Sequence, residues 1–237
     1  MSTTAALLFT RVQGAGFYRR YLQEAIELLP PDDGGTLLDV GCGPGLLTRL
    51  AAARGYRATG IDPDAAMVAA ARRLARREGS PAEYVRLGLF EAPEATPPAD
   101  VVAAASLLAV LPDRAAGLAA LWRLVAPGGA LLVVEASSKM TVARANDLIA
   151  AGLPGPRPRL LRLWARGRQG ATVDTAIYDG LPDVHGCQIT ELLGGLVEAR
   201  LLRKAVAQNE VTGRHQSAAV QKEAIRPSPL AASPAPD

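Results

Sequence analysis

The sequence predicts an α/β protein built on a doubly wound, mostly parallel sheet of seven strands, with an antiparallel C-terminal strand and an inserted helical cap. Short apolar runs alternate with helical patterns between residues 36 and 136, and this alternation is typical of a parallel sheet. The run at residues 130–134 is apolar throughout, as expected of a strand covered on both faces. These two observations indicate the fold class before any motif is considered.

The N-terminal part of the chain contains a helix and then two strand–helix pairs. Residues 14–29 carry apolar side chains at three- and four-residue intervals, which predicts a helix. A strand at residues 36–40 leads through a glycine-rich turn to a helix at residues 46–54. A second strand at residues 56–61 precedes an alanine-rich helix at residues 64–78.

The alternation continues through three more strands. Residues 83–87 and 100–105 are the third and fourth predicted strands. A helix around Leu118 then separates the fourth strand from the fifth, at residues 130–134.

The regular alternation ends after residue 136. Prolines at 154, 156 and 158 interrupt it, and a helical cap is predicted there. A short helix at residues 190–195 and two long strands at residues 197–206 and 214–223 are predicted to complete the sheet. The chain is therefore expected to have five segments: an N-terminal helical lid at 1–35, a core at 36–136, the cap at 137–185, a C-terminal helix and strands at 186–224, and a disordered tail rich in Pro, Ala and Ser at 225–237.

Composition and apolar patterning exclude several classes of protein. Hydrophobic residues make up 49% of the chain and charged residues 21%, which is enough apolar material for a globular core. The longest apolar run, residues 101–111, is shorter than the roughly 18 residues that a membrane-spanning helix needs. Residues 1–9 have no basic residue before their apolar stretch, so no secretory signal is predicted and a cytoplasmic location is expected.

Metal binding and nucleic-acid binding are also disfavoured. The chain has 2 cysteines and 2 histidines, too few for a disulfide framework or a structural zinc site. A net charge of +3 and an aromatic content of 4% do not indicate a nucleic-acid surface. Positive charge is concentrated once, in the arginines of residues 157–168, which form either a surface for an acidic ligand or lipid, or a solvated helix face.

The turn after the first strand and an acid after the second together predict a ligand site. Glycines at 41, 43 and 45 let the backbone approach a ligand closely and adopt positive φ. Asp62, 23 positions after Asp39, ends the second strand, where a carboxylate can accept hydrogen bonds from both hydroxyls of a ribose. Both features lie at the carboxyl ends of strands, where open α/β sheets bind ligands.

The spacing of the glycines favours a nucleoside without a pyrophosphate. A dinucleotide-binding turn reads Gly-x-Gly-x-x-Gly, which would place its third glycine at position 46. In this chain the third glycine is at position 45, and position 46 is Leu46. Pro44 has no N–H group, which weakens a phosphate cradle built from successive amides. A nicotinamide-dependent oxidoreductase is therefore the less favoured alternative.

Three motifs carry a resemblance to a known family. Residues 37–45 (LLDVGCGPG), residues 60–63 (GIDP) with Met67, and residues 126–131 (APGGAL) resemble the successive motifs of class I S-adenosylmethionine-dependent methyltransferases. The likeness covers residues 36–136 and is most specific in its first motif. It implies a Rossmann-like fold, S-adenosylmethionine as cofactor, and in-line methyl transfer to a small-molecule acceptor, with an oxygen acceptor favoured.

The resemblance also implies roles for individual residues. The glycine turn would lie along the methionine and ribose portion of the cofactor, and Cys42 within it is expected to fill space rather than act as a nucleophile. Asp62 would hold the ribose, Pro63 and Met67 would pack on the adenine, and Asp39 would either shape the turn or reach the cofactor's amino group indirectly.

Other parts of the site follow the third and fourth strands and the N-terminal helix. The family usually has a Gly-Asp pair after the third strand, but this chain has Gly88 and Leu89, so Phe90, backbone and apolar contacts are expected to hold the adenine. Tyr18 either covers the cofactor as a lid or belongs to a core stripe. The cofactor-binding residues so implied are Asp39, Gly41, Cys42, Gly43, Gly45, Asp62, Pro63, Met67, Leu89, Phe90, Ser106 and Tyr18.

Two residues are candidates for the base that an oxygen acceptor requires. His185 lies between the predicted cap and the last predicted helix, and Glu135 ends the fifth strand. A surface histidine without a catalytic role is the favoured alternative for His185. The expected partners are a small-molecule acceptor and, as an option left open, a second copy of the chain in a homodimer, with no nucleic acid, integral membrane association or metal.

A protein that retains the fold as a binder or partner subunit without catalysis is the main rival. The acid missing at Leu89 motivates this reading, because it removes one polar contact to the adenine.

Overall fold

The computed structural model describes residues 14–30, 34–152 and 158–206. The chain divides into two units, Met1–Ala205 and Val206–Asp237, and the fold described below belongs to the first. The predicted strand at residues 214–223 and the predicted tail at residues 225–237 lie outside the described residues.

Seven strands of the described chain form a single sheet. These are β1 (Thr36–Val40), β2 (Arg57–Asp62), β3 (Glu83–Arg86), β4 (Ala99–Ala105), β5 (Val125–Ala136), β6 (Val184–Leu192) and β7 (Val197–Lys204). Their order across the sheet is β3-β2-β1-β4-β5-β7-β6. β1 to β5 pair in parallel, whereas β7 runs antiparallel to both of its neighbours. The predicted doubly wound, mostly parallel sheet with one antiparallel C-terminal strand is thereby confirmed.

Helices cover both faces of this sheet. They are α1 (Gly16–Glu27), α2 (Leu46–Ala52), α3 (Ala65–Glu78), α4 (Ala92–Ala95), α5 (Arg114–Arg123), α6 (Val142–Ala150) and α7 (Pro158–Arg168). The core on one face contains side chains of α1, α2, α6 and α7 with Leu132 and Val134 of β5. The core on the other face contains α5 and Tyr178 with Leu131 and Val133 of the same strand. Adjacent residues of β5 therefore alternate between two apolar layers, which explains its continuous apolar sequence.

The cap region is helical but ends differently from the prediction. α6, α7 and a 3₁₀ turn at Thr175–Gly180 occupy the stretch between β5 and β6. The predicted helix at residues 190–195 is wrong: the first half of that stretch completes β6, and the second half, Leu193–Gly195, forms a short 3₁₀ turn. This turn connects β6 to β7, and the two strands pair in antiparallel orientation. Strand β7 therefore pairs with a strand that comes before it in the chain.

β5 is longer than predicted because it continues through Pro127 and two glycines. Ala99 pairs with Val125 and Val101 with Ala130, so β5 has an irregularity opposite a single residue of β4. A Cβ atom at Gly129 would lie 2.6 Å from the Asp100 carbonyl oxygen, which makes glycine necessary at this close approach.

None of the described helices has both the length and the apolar character needed to cross a membrane.

Candidate functional site

The glycine turn follows β1 and is held against β2 by its backbone. The N–H groups of Gly41 and Cys42 both donate to the Ile61 carbonyl oxygen, at 2.8 and 3.0 Å. Gly41 has a φ of 69°, and a Cβ atom there would lie 2.9 Å from Leu107 Cδ1. The turn therefore needs glycine for its backbone conformation and for its contact with the chain that follows β4.

Asp62 ends β2 beside this turn. Its Oδ2 accepts a hydrogen bond from the Gly43 N–H at 2.9 Å, and its Oδ1 accepts one from the Asp64 N–H at 2.9 Å. Burial raises the pKa of Asp62, while these two N–H donors act in the opposite direction. Each oxygen retains acceptor capacity, because a carboxylate oxygen has two lone pairs.

A cavity of about 320 Å³ opens between the turn, Asp62 and the chain after β4. This position is the carboxyl edge of the parallel strands, where the strand order reverses between β1 and β4. The cavity is mostly apolar, and its charged residues are two acids at and just after the end of β2 and an arginine of α7 that contacts the chain after β4. It is lined by Gly41, Gly43, Asp62, Pro63, Asp64, Met67, Ala105, Ser106, Leu107, Val110, Leu111 and Arg168.

Half of the predicted cofactor-binding residues meet at this cavity. Those that line it are Gly41, Gly43, Asp62, Pro63, Met67 and Ser106. Those that the structure places elsewhere are Asp39, Cys42, Gly45, Leu89, Phe90 and Tyr18.

Asp39 anchors α2 to β1 instead of facing the cavity. Its Oδ2 accepts hydrogen bonds from the Thr48 N–H at 3.1 Å and the Thr48 hydroxyl at 2.6 Å. Burial raises the pKa of Asp39 to about 7. Of the two readings from the sequence, the one that has Asp39 shape the turn agrees with these contacts.

Cys42 and Gly45 contact Tyr84 of β3 on the side of the turn away from the cavity. Cys42 is buried in a small apolar cluster with Val68 and Tyr84, in agreement with a packing role, and burial raises the pKa of its thiol. Gly45 precedes α2 with a φ of 75°, and its carbonyl oxygen accepts a hydrogen bond from the Tyr84 hydroxyl at 3.0 Å.

The structure places the residues after β3 and the N-terminal tyrosine outside the lining of the cavity. Leu89 is buried in the core and Phe90 is 54% exposed, so neither lines the cavity. Tyr18 is fully buried among aromatic rings of α1 and α7, with its ring 5.8 Å from that of Trp164. The core-stripe reading of Tyr18 agrees with this position, and the lid reading does not.

Glu135, one of the two candidate bases, is buried at the end of β5. Its Oε1 accepts a hydrogen bond from the Leu108 N–H at 2.7 Å, at the start of the 3₁₀ turn Leu108–Val110. Burial raises the pKa of Glu135 to about 7, against the lowering effect of Arg168 and of nearby N–H groups. The carboxyl also lines a second cavity of about 120 Å³, together with Ser137, Thr172 and Tyr178.

His185, the other candidate base, lies far from the cavity. Its neighbours Val184 and Gly186 pair with Lys204 and Arg203, and Arg203 pairs with Ala130. This is the amino-terminal end of the apolar run of β5, whereas the cavity lies at the carboxyl end. The structure therefore places His185 in an edge strand rather than in the cap, at the end of the sheet opposite the cavity.

Sequence reasoning missed the apolar wall and the arginine of the cavity. Leu107, Val110 and Leu111 follow Ser106 directly, so their place after β4 could have indicated them. Arg168 is 62 positions from Ser106, and its Nη2 donates to the Ser106 carbonyl oxygen at 3.3 Å. Only the packing of α7 brings it to the site.

Fold and cavity together define an α/β protein with a ligand site at the carboxyl edge of a doubly wound sheet. Residues 38–131 match a family model described as a methyltransferase domain. Nocamycin O-methyltransferase from Saccharothrix syringae is 34% identical over 190 residues, which cover 76% of this chain and 60% of that enzyme. Ubiquinone biosynthesis O-methyltransferase from Pseudomonas paraeruginosa is 40% identical over 97 residues, which cover 40% of this chain and 42% of that enzyme.

Solved structures show the same fold. A magnesium protoporphyrin IX methyltransferase from Synechocystis PCC 6803 with bound SAH has a TM-score of 0.63 at 16% identity, over 86% of this chain and 95% of that one. Residues 38–131 are therefore similar to a methyltransferase domain, and the solved structure shows that the likeness extends to the fold of most of the chain. The chain spans 60% and 42% of the length of the two relatives named above.

Proposed function

We propose that the protein is an S-adenosylmethionine-dependent methyltransferase that transfers a methyl group to a small-molecule acceptor, with an oxygen atom the favoured target. The observation that carries this proposal is the cavity in which Gly41, Asp62 and Met67 converge. The side-chain-free turn, an acceptor-only carboxylate and an apolar wall fit a nucleoside with a free ribose and no phosphate.

Each part of the cavity then has a role toward the cofactor. Asp62 accepts hydrogen bonds from the ribose hydroxyls with the lone pairs that Gly43 and Asp64 leave free. Pro63 and Met67 would pack against the adenine, and Gly41 and Ser106 would hold the methionine portion.

Methyl transfer depends more on alignment of the two reactants than on acid–base catalysis. When bound, the cofactor supplies a methyl group on a sulfonium, which is already activated toward in-line displacement. Holding two reactants in line provides an effective concentration of about 10⁵ to 10⁸ M. Leu107, Val110 and Leu111 form an apolar wall, against which a bound cofactor and acceptor would displace water.

The acceptor is expected on the cap side, near Glu135. An oxygen acceptor has to lose its proton, and a carboxyl with a pKa of about 7 can take up a proton near neutral pH. Thr172 and Tyr178 of the cap line the same small cavity as Glu135. The two O-methyltransferases among the relatives support an oxygen acceptor.

Incubation with S-adenosylmethionine labelled in its methyl group, together with small-molecule extract of the native host, tests the activity. We expect label in a small molecule and formation of S-adenosylhomocysteine. Asp62→Ala should remove both at low cofactor concentration. Absence of cofactor binding to the wild-type protein in calorimetry would contradict the proposal.

A binder or partner subunit without catalysis is the second candidate. The observation that favours it is the apolar Leu89 after β3, which is buried and gives the cavity no carboxylate for the adenine. Saturable binding of S-adenosylmethionine without any transfer to host extract would support this candidate. Saturable binding of a nicotinamide dinucleotide alone would instead support an oxidoreductase.

Three further expectations remain predictions from the sequence. These are a cytoplasmic location, a homodimer and the absence of nucleic-acid binding. Cell fractionation, native mass spectrometry and a mobility-shift assay with duplex DNA test them in turn.

A further inference from the structure

Arg168 is the cationic side chain among the described residues that line the cavity. It is half-buried at the C-terminal end of α7, and its Nη2 donates to the Ser106 carbonyl oxygen at 3.3 Å. The other described arginines of α7 point elsewhere. Arg162 donates to Asn146 Oδ1 at 2.7 Å, and Arg159 and Arg166 are exposed.

The charge of Arg168 is not neutralised by an ion pair within the described chain. Glu135 influences it electrostatically, but the Glu135 carboxyl directs an oxygen at the Leu108 N–H. A guanidinium has five N–H donors, and the hydrogen bond to Ser106 uses one of them. Arg168 therefore presents free donors and positive charge to the cavity.

The acids and the arginine that line the cavity lie beside different strands. Asp62 ends β2 and Asp64 follows it, whereas Arg168 contacts Ser106 after β4, and β1 lies between these two strands. A ligand with a neutral nucleoside and a distant carboxylate can bind this cavity in one orientation only. Its carboxylate has to lie near Arg168, because it would be repelled by the carboxylate of Asp62.

We propose that Arg168 binds the carboxylate of the methionine portion of S-adenosylmethionine. This inference rests on the proposed function, since it takes that cofactor as the ligand. Arginine matches a carboxylate through two parallel N–H donors, and Arg168 is half-buried, where such a pair is stronger than on an exposed surface. α7 of the cap then helps to hold the cofactor, in addition to the turn after β1.

Calorimetry with two ligands tests this role without any turnover. S-Adenosylhomocysteine and its decarboxylated analogue differ by the carboxylate alone. We expect the wild-type protein to prefer S-adenosylhomocysteine. Arg168→Gln should weaken binding of S-adenosylhomocysteine by about tenfold to a hundredfold and leave binding of the analogue unchanged.

Two further variants separate charge from structure. Arg168→Lys keeps the positive charge and should retain part of the preference for the carboxylate. Arg166→Gln removes an exposed arginine from the same helix and should leave both affinities unchanged. Thermal unfolding of each variant checks that the protein is folded.

The outcomes distinguish this proposal from the proposed function. Equal affinity of the wild-type protein for the two ligands, or equal weakening of both in Arg168→Gln, would overturn the role of Arg168 while leaving the cofactor assignment intact. Failure of the wild-type protein to bind S-adenosylhomocysteine at all would overturn both. If Arg168→Gln does not fold, a reduced but measurable preference for S-adenosylhomocysteine in Arg168→Lys supports the assignment. Full retention of the wild-type preference in Arg168→Lys, or its complete loss, contradicts it.

Discussion

Three buried carboxyl groups near the carboxyl edge of the sheet have three different environments. Asp62 accepts from two backbone N–H groups and faces the cavity. Asp39 accepts from Thr48 and joins β1 to α2. Glu135 accepts from the Leu108 N–H and supports the chain after β4. Residue type alone would not separate these roles, because the hydrogen-bond partners define them.

Asp62→Ala tests the residue assigned to the ribose. The substitution removes two charge-assisted hydrogen bonds, so the affinity for S-adenosylhomocysteine should fall by about 1 to 3 kcal/mol in calorimetry. Asp113→Ala is the control, since it removes a helix-capping carboxylate of α5 outside the cavity. An unchanged affinity in a folded Asp62→Ala protein would contradict the assignment.

Glu135→Gln tests the buried carboxyl through the pH dependence of stability. The folded-state pKa of about 7 lies above the ordinary value of 4.5, so between these values the folded protein holds a proton that the unfolded chain has released. The stabilising contribution is complete below the unfolded pKa and is lost as pH rises through about 7. The free energy of unfolding of Glu135→Gln relative to wild type should therefore increase by up to about 3 kcal/mol between about pH 5 and about pH 8.

Urea unfolding of both proteins at the two pH values measures this difference. Asp39 has its pKa in the same range, so the comparison with wild type isolates the effect of Glu135. Glu94→Gln, at a residue with a 77% exposed side chain, should show no such dependence. A constant difference between Glu135→Gln and wild type would show that burial does not shift the pKa.

At the scale of elements, the start of α2 depends on a close contact with β3. Gly45 precedes the helix with a φ of 75°, and a Cβ atom there would collide with the Tyr84 ring. Arg49 Nη1 donates to the Gly45 carbonyl oxygen at 2.9 Å and to that of Pro44 at 2.7 Å. The packing of α2 against β3 therefore requires the last glycine of the turn.

Gly45→Ala should destabilise the protein by about 3 kcal/mol, from the left-handed backbone and from the collision with Tyr84. Gly79→Ala is a matched control: Gly79 has a φ of 64° and open space around its Cβ position, so only the backbone cost of about 1 kcal/mol applies. Chemical denaturation of the two variants gives the comparison. Equal losses would mean that Tyr84 moves aside freely.

At the scale of the whole molecule, the N-terminal helix and the cap meet in one aromatic cluster. The Trp164 ring of α7 stacks on that of Tyr21, with centroids 5.8 Å apart, and lies 5.9 Å from that of Phe17. Trp164 is 6% exposed. Since α7 also carries Arg168, this cluster positions the arginine that lines the cavity.

Trp164→Ala should lower the free energy of unfolding by about 3 to 5 kcal/mol because it leaves a large void between α1 and α7. Trp164→Phe should cost much less, because it keeps an aromatic ring and the Trp164 Nε1 has no hydrogen-bond acceptor among the described residues. Urea denaturation of both variants measures the losses. Similar losses for the two substitutions would show that a phenyl ring does not fill the space that the indole ring occupies between α1 and α7.

Much of the fold and about half of the site could be predicted from local patterns. Alternating strands and helices fixed the sheet type, and the glycine turn with Asp62 located the carboxyl-edge cavity. The sequence placed His185 at the end of the cap, whereas the structure places it in β6. An exposed edge strand has no clear apolar alternation, so this stretch could not be distinguished from a loop. The position of Leu89 and Phe90 after β3 predicted contacts with the adenine. It did not determine the direction of their side chains, which lie outside the cavity lining.

What the amino-acid sequence determined by itself was the class of sheet, the side-chain-free turn and the acid at the end of β2, because each depends on residues adjacent in the chain. Only the tertiary structure decided which carboxyl faces the cavity, that β6 lies outside β7, and that Arg168 reaches Ser106. These features depend on contacts between residues distant in sequence, and such contacts follow from packing rather than from local periodicity.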